Sequence, residues 1–208
     1  MPFCLGLVGA LSRVLLISNP ATSLWVAGAG GAACWVSAYA LLPRPMLIYV
    51  FGHELTHALW TWLFGGRVKR FRVSSKGGHV QITKSNALIA LAPYFFPVYA
   101  VLTILIYGTG HLIWNWKPYS AWFHLLLGAS YAFHVTLTWH TLQTEQSDIT
   151  SQGYFFSAVV IVLGNLLILL LALSVLMDIG VLNALNWWMR DTWGAISRLS
   201  TLFAGMRR

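Results

Sequence analysis

Charged residues fall in blocks along this chain, and the stretches between them are long. Arg13 to Arg44, Lys84 to Lys117, Lys117 to Glu145 and Asp148 to Asp178 each bound an interval without Asp, Glu, Lys or Arg, long enough for the ~20 apolar residues a spanning helix needs. The apolar runs predict spans at 21–42, 46–64, 86–107, 119–142 and 149–177. Residues 3–18 are interrupted by Arg13 and lack the basic start of a secretory signal, so they read as a short retained segment lying in the interface. From about 182 the chain is amphipathic, with Trp187, Trp188 and Trp193 near Arg190 and Arg198, as in an interfacial helix. Between the second and third spans the period changes. Arg67 to Val73 alternates basic and apolar residues, Ser74-Ser75-Lys76-Gly77-Gly78 supplies turn chemistry, and His79 to Thr83 alternates again, which predicts a β-hairpin over 67–84. The expected fold is an all-α polytopic membrane bundle of about five to six transmembrane helices with one short β-hairpin inserted, forming a single integral membrane domain over 1–208.

Composition sharpens this picture. The 208 residues are 58% hydrophobic and 9% charged, with a mean hydropathy of +0.69, whereas a soluble domain carries roughly 25% charged residues. Thirteen Lys and Arg against five Asp and Glu give +8. In a chain this apolar the partner of that charge is the lipid headgroup rather than nucleic acid, since basic residues flanking spans set topology and meet anionic lipid. Arg67, Lys69, Arg70, Arg72, Lys76 and Lys84 hold six of the thirteen, so the hairpin is expected on the cytoplasmic side; the same count leaves Arg190, Arg198, Arg207 and Arg208 on the opposite side unless the last span re-enters. Gly28, Gly30, Gly31, Ala32 and Ala33 give the first span a small-residue face where another helix can approach. Two cysteines, Cys4 and Cys34, make neither a disulfide framework nor a Cys-rich metal site.

Candidate chemistry centres on His53-Glu54-Leu55-Thr56-His57. On a helix, positions i and i+4 share a face, so both imidazoles reach one zinc ion while the intervening Glu stands near the water that the metal activates. With seven His and two Glu in the chain, chance predicts roughly 0.002 occurrences of this spacing. Glu54 is also the sole acid before Glu145 and sits mid-span, where an ionisable group is costly unless it has a partner or a function. One further protein ligand is wanted. Asp148 opens the last apolar span and is the nearest carboxylate in kind and place; Ser147 capping that span and Asp148 facing its dipole are the bland alternative. His124, His134 and His140 share the 119–142 span and stay open as ligands, and Glu145 as an outer partner or a solvated loop residue.

The zinc motif inside an apolar helix, the Gly65-Gly66 that follows, the basic hairpin with its own Gly77-Gly78, Asn86 at the next span and an aspartate opening a later one resemble the site-2 protease family of intramembrane zinc metalloproteases, in its minimal bacterial-type branch without a PDZ domain. The resemblance covers roughly 46–177, with Ile149 standing where the family pattern has Gly. It implies one Zn2+ held by His53, His57 and Asp148, Glu54 as the catalytic base, a membrane-protein substrate, and residence in the bacterial cytoplasmic (inner) membrane.

These parts support metal-assisted amide hydrolysis, with Glu54 taking the proton of the activated water and passing it to the leaving nitrogen. A helical substrate hides its carbonyls and must be drawn out locally. Strand addition at the hairpin, along Gly78, His79 and Val80, would hold it extended; otherwise the hairpin is a lipid-facing flap whose charges only fix topology. Asn86 either hydrogen-bonds that extended backbone or caps a helix. Two other function classes remain open from sequence: a zinc-holding membrane protein that binds partners without cutting them, and a transporter whose intramembrane His and Glu line an ion or proton path. The topology is testable directly. In a chain with Cys4 and Cys34 replaced, a cysteine at Ser75 is expected to react with an impermeant reagent only after the membrane is opened; labelling in intact cells would reverse the orientation.

Overall fold

The computed structural model describes residues 2–19, 22–75 and 77–205, so Lys76, Arg207 and Arg208 of the basic count lie outside the described residues. Nine α-helices and one hairpin follow one another among them: α1 (Pro2–Ile17), α2 (Ser23–Leu41), α3 (Met46–Leu63), β1 (Val68–Ser74), β2 (Gly77–Ile82), α4 (Ala87–Leu91), α5 (Val98–Trp114), α6 (Ser120–Leu142), α7 (Ser147–Thr150), α8 (Tyr154–Leu176) and α9 (Val181–Gly205), with short 3-10 turns at Ala92–Tyr94 and Lys117–Tyr119. The chain divides into two units, residues 20–157 and residues 1–19 with 158–208.

In the larger unit α2 and α6 lie against each other at the small residues. A Cβ at Gly31 would strike the backbone carbonyl of Leu125, and one at Gly128 would strike that of Gly28. Gly30 faces open space. The glycine face is therefore narrower than the sequence suggested, with Gly28 and Gly31 in the seam and Gly30 outside it. Trp35 of α2 completes the contact, its Nε1 donating to Thr136 Oγ1 at 2.8 Å while its ring sits 4.8 Å from that of Phe133.

The helix α3 starts after the Pro43-Arg44-Pro45 break and ends at Gly65, whose φ of 70° is the left-handed turn that glycine adopts without a Cβ penalty. Its far flank carries the hairpin. Strands β1 and β2 are antiparallel, with Phe71 opposite Val80 and Arg72 opposite His79, and an irregularity between Val68 and Arg70. Phe71 meets Phe51 of α3 edge to face at 5.8 Å, and Val73 packs on the cluster of Tyr49, Val50 and Leu137. Alternation then sets Arg70, Arg72, His79 and Gln81, all exposed, on the opposite face.

Three expected boundaries move. The 86–107 span is a broken pair, α4 with its 3-10 turn and then α5, bent by 79°. Pro97 has no N–H to donate and disfavours a helical Phe96 before it. The helix α5 then runs through Gly108-Thr109-Gly110, which reads as a loop in the sequence, because the Trp116 ring packs on Gly110 and the turn falls instead at Asn115, with φ 51°. The 149–177 span also divides, since Gly153, with φ 86°, separates α7 from α8. By length and composition two described helices, α2 and α8, are apolar enough to cross a membrane, and a third span is added if the bent pair counts as one. The sequence expectation of five to six is wider because α3 and α6 have the length but carry His53, Glu54 and His57, and His124, His134 and His140, among their apolar residues.

The smaller unit pairs α1 with α9. Gly6 lies against Thr192, Trp188 Nε1 donates to the Phe3 carbonyl at 3.0 Å, and the Arg13 guanidinium meets Asp191 through two nitrogens at 2.8 and 3.1 Å. The segment at 3–18 thus has a helical partner in the amphipathic tail.

The seam of α2 and α6 yields a paired test. Gly31→Ala sets a Cβ on a backbone carbonyl that cannot rotate away, and should destabilise by about 1–3 kcal/mol; Gly30→Ala, one residue on, should leave stability unchanged or raise it slightly. Thermal midpoints of the two variants in detergent, measured against the parent, check the sign of each.

Candidate metal centre

The middle of α3 supplies three of the groups. Glu54 and His57 are buried, at 7% and 6% exposure, and His53 is half-buried beside them. The imidazoles of His53 and His57 are 4.9 Å apart between ring centroids. Each presents its Nε2 to one oxygen, Oδ2 of Asp148, at 3.4 Å. Burial alone would lift the Asp148 carboxyl, but the two imidazoles outweigh it and hold the group below its ordinary range. Tyr94, at the end of the 3-10 turn after α4, donates its hydroxyl to the same oxygen at 3.1 Å.

One ligand atom each from His53, His57 and Asp148 lie within 4.8 Å of one another, a set that could hold a metal ion. The remaining ring nitrogen of His57 supports that fit. Its Nδ1 lies 2.9 Å from the Ile89 carbonyl, an acceptor, so Nδ1 carries a proton, and with a metal bound Nε2 would be the nitrogen free to give its lone pair to the ion. Ile89 is fully buried on α4, and α4 owes its start to Asn86, whose Oδ1 accepts from Ile89 N at 2.8 Å. Of the two roles expected of Asn86 from sequence, the cap is the one its side-chain oxygen makes here; Asn86 is not among the residues lining the cavity over the site. Asp148 is likewise not at the mouth of the long apolar helix but on the one-turn α7, where the preceding cap position is Gln146 and Ser147 makes no side-chain cap.

Over these groups opens a cavity of about 520 Å³, lined at its base by His53, Glu54, His57 and Asp148, on one wall by Gly77, Gly78, His79 and Val80, and on the other by Thr141, Thr144 and Gln146. Gly78 touches the acid most closely. A Cβ there would fall 2.5 Å from Glu54 Cγ and 2.7 Å from Oε1, so the backbone of β2 lies on the carboxylate. Alternation along β2 turns the His79 side chain to the outer face and leaves Val80 inward.

The other sequence candidates lie outside this cluster. His124 Nδ1 is 3.0 Å from Ser23 Oγ, His140 lines the same cavity with its Nε2 3.5 Å from an Arg44 nitrogen, and Glu145 is exposed and outside the lining. His134 is buried in a second, smaller cavity. Sequence reasoning missed Ile89 and Tyr94. A backbone acceptor leaves no trace in residue identity, and Tyr94 is one aromatic among many, marked only by the prolines that place it.

The Peptidase M50B-like family model matches residues 25–144. The chain belongs to that family. No curated protein and no solved structure matches it. The matched region holds His53, Glu54 and His57 but ends before Asp148, and it makes the chain a member of the site-2 protease group, membrane-embedded metallopeptidases in general terms.

Asn86 offers a test of cap against substrate contact. Asn86→Ala should lower stability by about 0.5–2 kcal/mol, and Asn86→Ser, which can cap equally, should restore most of it. Thermal midpoints report the cap; a residue serving mainly a substrate backbone would leave them unmoved.

Proposed function

We propose that this chain is an intramembrane zinc metalloprotease that hydrolyses peptide bonds of membrane-embedded substrates. The observation that carries the reading is the convergence of His53, His57 and Asp148 on one point, with Glu54 beside them under the hairpin. His53, His57 and Asp148 would hold one Zn2+, a donor set of two imidazoles and a carboxylate that suits zinc and leaves room for substrate. Zinc bound there would supply activation of a water and polarisation of the scissile carbonyl. Glu54 is the general base: it takes the proton from that water and later delivers it to the leaving nitrogen. Burial under Gly78 keeps its carboxylate close to the reacting atoms.

In this reading α3 and α6 also lie within the bilayer, which brings the spans to five or six in a bacterial cytoplasmic membrane, with the hairpin on the cytoplasmic side and residues 182–208 at the interface. An unwound stretch of substrate pairs with the hairpin at Gly78, His79 and Val80, where the backbone of β2 borders the cavity. The partners are thus a membrane-protein substrate and the lipid bilayer, without nucleic acid.

One experiment separates holding the metal from using it. Zinc stoichiometry and cleavage of a co-expressed single-span substrate are measured in the parent, Glu54→Gln and Asp148→Ala. Glu54→Gln should keep its zinc and lose turnover by roughly 10²–10⁴-fold or more, since Gln fills the same space and cannot accept a proton. Asp148→Ala should lose most of the zinc and the activity together, whereas His124→Ala and His140→Ala keep both. Retained cleavage in Glu54→Gln sinks the mechanism, and a parent protein without zinc sinks the reading.

A further inference from the structure

Besides the large cavity, His53 also lines a separate one of about 20 Å³. His53 and His134 both line it; Pro93, Phe96, Tyr99 and Phe133 supply apolar wall. Of its three lining hydroxyls, two have committed their protons, Thr56 to the Gly52 carbonyl at 2.8 Å and Tyr99 to the Ile48 carbonyl, while that of Tyr49 is buried without a partner. His134 has not found a partner: its Nε2 is buried without one, in a residue 7% exposed. An orphaned ring nitrogen in an apolar wall is costly. The volume suffices for one water, which needs about 10–15 Å³ on this measure and two or more polar neighbours.

His53 presents the complementary need. A ligand imidazole that gives Nε2 to a metal carries its proton on Nδ1, and such protons are as a rule donated to a carbonyl, a carboxylate or a water. His57 meets the rule through Ile89. Among the described residues no protein acceptor hydrogen-bonds to His53 Nδ1.

We propose that His134 is a positioning residue for the metal centre, holding His53 in its ligand tautomer through one buried water. His53 Nδ1–H donates to the water oxygen, and the water donates to His134 Nε2. The proposal rests on the reading of His53 as a zinc ligand. It assigns His134, on α6, the part that the Ile89 carbonyl plays for His57, so that each of the paired histidines is oriented by a different element of the larger unit.

The test compares the full-length parent with His134→Phe, which fills the cavity without a polar atom, and His134→Gln, whose amide sets a polar atom near the position of Nε2. Zinc affinity is measured by competition with a chromophoric chelator, the ligand-field spectrum of the Co2+-loaded protein is recorded, and the thermal midpoint of the metal-free form is followed. His134→Phe should weaken zinc about 10–100-fold with the Co2+ band pattern of the parent and a stable metal-free form, and His134→Gln should recover most of the affinity. If the Phe ring cannot be accommodated, His134→Leu makes the same comparison with a smaller apolar side chain. Unchanged affinity in the apolar variants overturns the proposal, as does a Gln variant no better than they are. A Co2+ spectrum showing a lost ligand would make His134 itself a ligand and overturn it too. A parent that binds no zinc fails at the earlier step and is distinguished by that measurement alone.

Discussion

Asp148 stands within reach of two imidazole nitrogens that belong to a helix far earlier in the chain, and the rest of the candidate centre depends on that convergence. A carboxylate on a one-turn helix has few bonds to hold it. The Tyr94 hydroxyl holds one oxygen at 3.1 Å, and the same oxygen faces both Nε2 atoms at 3.4 Å. Tyr94 is there because the chain breaks between Ala87–Leu91 and Val98–Trp114. A continuous helix would have carried it along the apolar direction and away from α3. The prolines that look like defects in a span are what bring a phenol to the carboxylate.

The same break explains how His57 is oriented. Cap, carbonyl and ring form a short chain of dependence: Asn86 begins α4, α4 fixes the Ile89 carbonyl, and the carbonyl fixes the His57 tautomer. Each link is an ordinary hydrogen bond, worth about 0.5–1.5 kcal/mol net. Together they turn a flexible imidazole into a directed donor of one lone pair.

How much of this could be read from residues alone follows from what each feature depends on. His53, Glu54 and His57 were legible because helical geometry converts their spacing into a shared face, and the hairpin because alternation and glycine pairs are local signals. The α2 and α6 seam was half legible: small residues marked it, but only the partner decides that Gly31 is inside and Gly30 outside. The loop expected at Gly108-Thr109-Gly110 failed because Trp116 packs on Gly110 from beyond the helix end, a contact no local pattern carries. Asp148 was nameable from a short list of acids, yet its setting on α7 hinges on the left-handed Gly153. Orientation by Ile89 had no signature at all, since any residue offers a carbonyl.

The hairpin has only two strands, and this carries a consequence for where it can reside. Each strand has one edge whose N–H and C=O groups meet no neighbouring strand, and in hydrocarbon every such group costs several kcal/mol. A sheet left open on both sides cannot rest against lipid tails. It must keep its rims wet or have them covered by another backbone, and because Gly78 lies directly on Glu54, water admitted along the β2 rim arrives beside the buried carboxylate. In the proposed protease the incompleteness of this sheet would act as a wick, tying the depth of the hairpin and the hydration of the centre to one and the same requirement.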